Sequence, residues 1–256
     1  MKQLNNISKK FIFSVIAFTL LQTSIYSQGK YVTYYIDNEP YEGYFIQPQK
    51  ENAAKAPLVI VLHDWDGLTD YEIERAKMLS REGYQVFAAD LFGKGIRPTE
   101  NKDKAQHTGE LYKDREKLRR LMINALITAR KQGVEGDKFV AMGYCFGGAA
   151  ALELARSGAE LAGFASFHGG LATPEGQDYS KTKGKIMVFH GTADTAITMQ
   201  DFAALAEELD EAGVPNEMIT YGGAPHAFTV FDSPAYRFTA DTQSWKRFLE
   251  FLSEVF

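Results

Sequence analysis

Val140-Ala141-Met142-Gly143-Tyr144-Cys145-Phe146-Gly147-Gly148-Ala149-Ala150-Ala151-Leu152 is the stretch on which the reading of this chain turns. A short apolar run reaches a glycine-flanked cysteine, and a helix-forming run starts directly behind it. Strand followed at once by helix leaves little room to turn. Cys145 is therefore expected in a strained conformation, with Gly143, Gly147 and Gly148 supplying space where a Cβ would clash. The pattern is that of a nucleophile elbow, G-x-S-x-G, with cysteine in the serine's place. Such a turn presents its side chain at the tip. The N-terminus of the following helix aims N–H groups at the sulfur, which is expected to favour thiolate. The plain alternative is a small buried cysteine in a tight strand–helix turn.

Two later loops bear on that choice. Asp194 follows an apolar run in Val188-Phe189-His190-Gly191-Thr192-Ala193-Asp194, and His226 lies in Tyr221-Gly222-Gly223-Ala224-Pro225-His226-Ala227-Phe228. Nucleophile, then acid, then histidine is the chain order of the α/β-hydrolase triad.

The elements around these loops alternate. Tyr31 to Ile36 and Tyr44 to Gln47 read as two strands joined by a turn at Asn38-Glu39-Pro40. Leu58-Val59-Ile60-Val61-Leu62 is a continuous apolar run, the mark of a strand buried on both faces, and it ends at His63-Asp64-Trp65. A helix from about Tyr71 to Glu82 and a strand from Tyr84 to Ala89 follow. Asp90 to about Thr108 has no clear period and reads as a long loop, functional or a solvated crossover. A single helix is expected from about Gly109 to Gln132. Behind the elbow, the pattern predicts a helix to about Arg156, a strand over Gly163 to Phe167, a loop over His168 to Gly184 and a strand over Lys185 to Phe189. A helix over Met199 to Ala212, a strand over Glu217 to Tyr221 and a terminal helix over about Ala240 to Phe256 complete it. Strands alternating with helices imply the α/β class, with a mostly parallel central sheet and helices on both faces. Function in such sheets gathers beyond the carboxyl ends of the strands, where His63, Asp64, Cys145, His168, Asp194 and His226 all fall.

Composition narrows the setting. The length of 256 residues suits one α/β domain over 28–256. Residues 1–27 carry Lys2, Lys9 and Lys10 and no acid, so the whole-chain charge of −5 leaves −8 on the remainder. An acidic body argues against nucleic acid and anionic membrane surfaces as partners. The three lysines, the apolar run Phe11 to Leu21 and the small Ser27 read as a signal peptide, with Ile25 at the −3 position. The run is short for a transmembrane helix, so export to the periplasm or outside is expected, with no membrane association after cleavage. An uncleaved anchor is the second reading. A single cysteine in an exported chain permits no internal disulfide and points to a reactive thiol or an intermolecular pairing.

Together these residues resemble the dienelactone hydrolase family of α/β-hydrolases, from about residue 30 onward. Gly143-Tyr144-Cys145-Phe146-Gly147-Gly148, His190-Gly191-Thr192-Ala193-Asp194 and Gly223-Ala224-Pro225-His226-Ala227-Phe228 carry the resemblance. Asp90-Leu91-Phe92-Gly93-Lys94-Gly95 and Ser166-Phe167-His168-Gly169-Gly170 add to it. The resemblance implies an α/β-hydrolase fold and a cofactor-independent hydrolase of carboxylic esters or lactones. It implies Cys145 as nucleophile, His226 as general base and acid, and Asp194 orienting the histidine. A thioester acyl-enzyme would form, its oxyanion held by the backbone N–H groups of Phe146 and Trp65. Asp64 stands where the family has a glutamate that contacts the cysteine. Being one methylene shorter, it is open to three readings: a catalytic helper, a contact through water, or a cap on the following turn. Val230 stands where dienelactone hydrolases proper place an arginine for the substrate carboxylate, so an uncharged or bulkier ester is expected. Lys94 and Arg97 are the alternative source of positive charge, with a solvated surface role as the competing reading.

His63, His168 and Tyr144 are candidate pocket-lining residues; for the two histidines, as for His190, a structural hydrogen bond is the competing reading. No cofactor is implied, and no ligand spacing supports a metal site at His63, Asp64 and His168. The expected partner is a small ester or lactone, and the assembly a monomer or small homo-oligomer. The rival functions are a thioesterase or peptidase using the same triad, and a catalytically lapsed domain that binds a glycan or lipid.

Overall fold

The computed structural model describes residues 29–256, so the leader read at 1–27 lies outside the described residues. Eight strands form one sheet: β1 (Lys30–Ile36), β2 (Glu39–Ile46), β3 (Leu58–Leu62), β4 (Gln85–Ala89), β5 (Phe139–Tyr144), β6 (Gly163–Phe167), β7 (Lys185–Gly191) and β8 (Asn216–Tyr221). Their order across the sheet is β1-β2-β4-β3-β5-β6-β7-β8. The first two pairings, β1 with β2 and β2 with β4, are antiparallel, and every later one is parallel. The chain steps from β3 outward to β4, then crosses back to place β5 on the other side of β3. That reversal opens a crevice at the carboxyl ends of β3 and β5.

Helices α1 (Asp70–Arg81) and α6 (Phe238–Val255) cover one face; α2 (Asn101–Lys113), α3 (Arg115–Arg130), α4 (Phe146–Arg156) and α5 (Met199–Glu211) cover the other. The period-two geometry of a strand feeds both layers. Leu58, Ile60 and Leu62 pack with α3 and α4, whereas Val59 and Val61 pack with α1 and α6. All five β3 residues have zero solvent exposure, which is why the run is apolar throughout rather than alternating.

Two sequence expectations are corrected. The first hairpin turns at Asp37-Asn38, not at Asn38-Glu39-Pro40. Both turn residues have positive φ (53° and 67°), the mark of a two-residue type I′ turn, and β2 therefore starts at Glu39. The stretch that reads as a loop up to Thr108 contains α2, and the single helix expected from Gly109 to Gln132 is two helices. Only Thr108 and Leu111 of α2 are buried, so its apolar period is too sparse to see. The break falls at Asp114 (φ −112°, ψ 78°), whose carboxylate accepts the Lys117 N–H at 2.9 Å and caps α3.

Candidate active site

Cys145 occupies the turn between β5 and α4 with φ 49° and ψ −110°, a conformation that costs a non-glycine residue on the order of 1–3 kcal/mol. Close packing holds it there. A Cβ on Gly143 would lie 2.2 Å from the Gly147 carbonyl carbon, and one on Gly147 would lie 2.1 Å from the Leu62 carbonyl oxygen. Backbone therefore touches backbone on both sides of the turn, and α4 starts directly over the end of β3. The Cys145 N–H donates to the Phe167 carbonyl at 3.0 Å, fastening the turn to β6.

The loop after β7 brings Asp194 to the same rim, and the loop after β8 brings His226. Their side chains meet: His226 Nδ1 lies 2.7 Å from Asp194 Oδ2. The other carboxylate oxygen of Asp194 accepts the N–H groups of Ala196 and Ile197, each at 2.9 Å. Burial alone would raise the Asp194 pKa. The hydrogen bonds from His226 and these amides outweigh it and hold the carboxyl below the ordinary carboxylate range. Asp194 is thus ionised and aimed, and it fixes the proton of the imidazole on Nδ1.

The sulfur has a different neighbour in this state. The Asp64 carboxylate and the Phe146 N–H lie close enough to the Cys145 sulfur to act on its proton, in opposite directions. Burial first, and the Asp64 charge second, push the thiol well above its ordinary range, and the Phe146 N–H only partly offsets them. The expectation that the helix N-terminus favours thiolate is therefore corrected: one amide bond does not outweigh desolvation plus an adjacent carboxylate. Asp64 is itself pushed up to about 6, by burial first and then by the charge of Asp66, while Trp65 N–H, His226 and Cys145 pull it down. Both amides read as oxyanion donors thus act on this pair of side chains. Trp65 N–H donates to Asp64 Oδ1, and Phe146 N–H serves the sulfur.

Beneath Asp64 lies Glu72, wholly buried on the first turn of α1. Its Oε1 accepts the Asp64 N–H at 3.2 Å, and its Oε2 accepts both the N–H and the hydroxyl of Thr69 at 2.9 Å. This is a capping box that also seats the active-site loop. Burial, followed by the Asp64 charge, pushes Glu72 up to about 8.

An aromatic wall stands on the α2 side. Phe146 packs against Phe92 (ring centroids 5.7 Å), Tyr112 (5.4 Å) and His63 (5.9 Å), and His107 stacks on Phe92 at 5.2 Å. Tyr112 is close enough to Cys145 and Asp64 that their charges, after burial, raise its pKa. Lys104 sits 5.3 Å over the Trp65 ring and 3.5 Å from Asp66.

The remaining candidates fall as follows. His63 is fully buried; its Nε2 accepts the Leu91 N–H at 3.1 Å, so its proton is on Nδ1, 2.6 Å from the Asp64 carbonyl. Tyr144 lies in the interior against Tyr71 (4.9 Å) and Phe167 (5.1 Å). His168, at φ 41°, meets the Thr229 hydroxyl through Nε2 at 2.8 Å and stands edge-on to His226 at 5.3 Å. His190 is buried and stacks on Phe202 at 5.5 Å. Lys94 pairs with Glu42 at 2.6 Å. Arg97 serves Asp90 and the carbonyls of Leu68 and Ile96. Among the described residues, no group of three or more His, Cys, Asp or Glu is arranged to hold a metal.

Sequence reading missed Tyr112 and Lys104 because it missed α2. It missed Glu72 although Thr69-x-x-Glu72 is a legible capping-box signature. It missed Thr229, which carries no signal beyond lying three residues after His226.

Comparison with known proteins gives the same outline. The dienelactone hydrolase family model matches residues 41–256. The solved structure m3DLH superposes with a TM-score of 0.85 at 31% identity, over 90% of this chain and 99% of that one. P91, a dienelactone hydrolase-like promiscuous phosphotriesterase from metagenomic libraries, does so with a TM-score of 0.82 at 30% identity, over 90% and 99%. An Escherichia coli K12 protein with the provisional name carboxymethylenebutenolidase is 25% identical over 243 residues, 91% of this chain and 86% of its own. With the match running from β2 to Phe256, the residue that follows α6, the chain belongs to the dienelactone hydrolase family and is a hydrolase of the carboxylic ester and lactone class.

Proposed function

We propose that Cys145, His226 and Asp194 are the catalytic triad of this hydrolase and that turnover passes through a thioester on Cys145. The observation that carries the reading is the 2.7 Å bond between His226 and an ionised, doubly amide-bonded Asp194, on the same sheet rim as a cysteine held at positive φ. With Nδ1 tied to Asp194, Nε2 is the ring nitrogen that takes the thiol proton. The sulfur attacks the carbonyl carbon, and the carbonyl oxygen becomes an oxyanion. When it collapses, the C–O bond to the leaving alcohol breaks, and His226 returns the proton to that alcohol. Water, deprotonated by His226, then attacks the thioester; the acid departs and the proton returns to sulfur.

In this mechanism the entering carbonyl oxygen takes over two amides that serve other partners at rest. Phe146 N–H leaves the sulfur, and Trp65 N–H leaves Asp64. Losing one such donor typically costs about a hundredfold or more. Asp64 acts as the holder of the resting thiol. An uncharged ester fits best, since Lys94 and Arg97 are committed to other carboxylates and carbonyls and Val230 offers no charge. Export of the mature chain rests on the leader-like residues 1–27 and is checked by N-terminal sequencing of the secreted protein.

The test is hydrolysis of p-nitrophenyl acetate, with an ester and lactone panel beside it. A phosphotriester belongs in the panel because P91 is described as a promiscuous phosphotriesterase. Cys145→Ala and His226→Ala are each expected to lose about a thousandfold or more. Acid-quenched turnover should leave the acetyl group on the Cys145 tryptic peptide. Retained activity in Cys145→Ala, or acyl on another residue, would refute the triad.

A further inference from the structure

We propose that Thr229 is a positioning residue for His226, and that it works through a buried chain of hydrogen bonds running from α1 to His168. The inference rests on the triad reading above. His226 lies in a stretch with neither helix nor strand, between the end of β8 at Tyr221 and the start of α6 at Phe238. The imidazole is bonded to Asp194, which belongs to another loop. That single bond leaves the ring free to swing about it, yet a reacting nitrogen must be held to about half an ångström.

Thr229 supplies the second restraint. It is fully buried, and three groups from two other elements converge on it. Tyr71 of α1 places its hydroxyl 2.7 Å from Oγ1, His168 at the end of β6 places Nε2 2.8 Å from the same atom, and Arg75 of α1 donates to the Thr229 carbonyl at 2.8 Å. Arg75 is anchored in turn. It pairs with Asp241 of α6 at 2.5 Å and lies 4.2 Å from the Phe231 ring centroid and 5.1 Å from that of Trp245. The segment between is tight: Val230 N–H donates to the Ala227 carbonyl at 3.0 Å, with Ala227 at φ 60°. A displacement at Thr229 is therefore transmitted to His226 within one turn of chain.

The chain also has a direction. Arg75 Nε donates to the Tyr71 oxygen at 3.3 Å, so the Tyr71 proton goes to Thr229 Oγ1. The Thr229 proton is then available to His168 Nε2, and in that arrangement His168 accepts and is neutral with its proton on Nδ1. Burial pushes the His168 pKa well down, in agreement. The ring standing edge-on to His226 at 5.3 Å thus adds no positive charge when His226 becomes an imidazolium.

The test compares Thr229→Val, which keeps the shape and removes the hydroxyl, with Thr229→Ser, which restores it, on p-nitrophenyl acetate. Thr229→Val is expected to lower kcat by about tenfold or more with KM within about twofold, since misplacement of reacting groups by about 1 Å can cost a hundredfold. Thr229→Ser is expected to recover kcat to within about threefold. A Thr229→Val protein with wild-type near-UV circular dichroism and kcat within about twofold overturns the proposal, as does a change in KM alone. If Thr229→Val does not fold, Tyr71→Phe removes the same donor from the α1 side; the same kcat loss is expected, and an unchanged kcat overturns the proposal. His226→Ala is assayed alongside. An active His226→Ala overturns the triad and this inference with it, whereas an inactive His226→Ala beside an unimpaired Thr229→Val overturns this inference alone.

Discussion

Replacing Asp64 by Asn isolates what holds the resting thiol. Burial, the Asp64 carboxylate and, last, the charge of Asp66 raise the Cys145 pKa, and the substitution removes only the second. Asn keeps an oxygen that can accept the Trp65 N–H, so the loop has no reason to move. A unit charge about 4 Å away, at an effective dielectric of about 20, is worth about 4 kcal/mol, or about three powers of ten in thiolate fraction. Relaxation of the polar side chains around the site trims this to about two. A more acidic thiolate is also a weaker nucleophile, with a Brønsted slope of about 0.4–0.5 that takes back about one power of ten. The expected net result is a rate about tenfold faster for Asp64→Asn than for wild type with a neutral aromatic disulfide such as 2,2′-dipyridyl disulfide at pH 7.5. The assay follows release of the thione by absorbance. Both proteins unfolded in urea should react at one common rate, which controls for the reagent. Asp64 titrates at about 6, so the contrast should be full above pH 7 and shrink below pH 6, where the wild-type carboxyl is neutral too. Equal or slower reaction of Asp64→Asn across pH 6–9 would show that the carboxylate is not what keeps the sulfur protonated.

Other perturbations reach the frame around the site. Arg75→Met leaves Asp241 buried without its partner and should cost about 3–5 kcal/mol in urea unfolding, with much of that recovered in the double variant Arg75→Met/Asp241→Leu. Gly147→Ala drives a Cβ into the Leu62 carbonyl, so α4 must shift; a loss of about 1–3 kcal/mol and a fall in kcat are expected, and an unchanged midpoint would mean that the contact is slack. Glu72 and Asp64 both bind protons more tightly folded than unfolded, so their contribution to stability is full below about pH 4 and is lost as pH rises through 6 and then 8. Melting temperatures of Glu72→Gln at pH 5 and 8.5 should therefore fall less with rising pH than those of wild type.

How far the sequence was legible follows from what each element buries. β3, β5, β6 and β7 are covered on both faces, and their runs of apolar residues announced them to within two residues. The elbow was legible because Gly143 and Gly147 record contacts that no other residue permits. α2 was not, because it rests on the rim and buries only two side chains, so solvent rather than the core determined its composition. With it went Tyr112 and Lys104. The direction of the Cys145 shift was misread for a related reason. The helix N-terminus is visible in sequence, whereas the desolvation and the Asp64 contact that outweigh it exist only once two strand ends are side by side. Thr229 lay beyond sequence altogether, since its partners are far away in α1 and at the end of β6.

The same geometry answers how a lone thiol can persist in a chain proposed to be exported. Oxidation and disulfide exchange both proceed through thiolate, and exposure sets their rate. At rest the Cys145 sulfur is protonated against Asp64, with the Phe146 N–H turned toward it and Tyr112 nearby. Of the two amides proposed to stabilise an oxyanion, Trp65 N–H is taken by Asp64, which holds the sulfur back, and Phe146 N–H is turned to the sulfur itself. An ester carbonyl competes for both at once, and a peroxide or a disulfide presents no carbonyl oxygen to do so. Substrate would thus trade places with the restraint: as Trp65 N–H turns from Asp64 to the carbonyl, the carboxylate loses its donor and the thiol its fixed partner, and the sulfur becomes free to turn toward His226. On this reasoning a carbonyl-bearing ligand that cannot be cleaved, such as a small ketone, should accelerate modification of Cys145 by a thiol reagent in wild type and have little effect in Asp64→Asn, where the restraint is already gone. Simple protection in both proteins would mean that the ligand only blocks access and that the two amides do not gate the thiol.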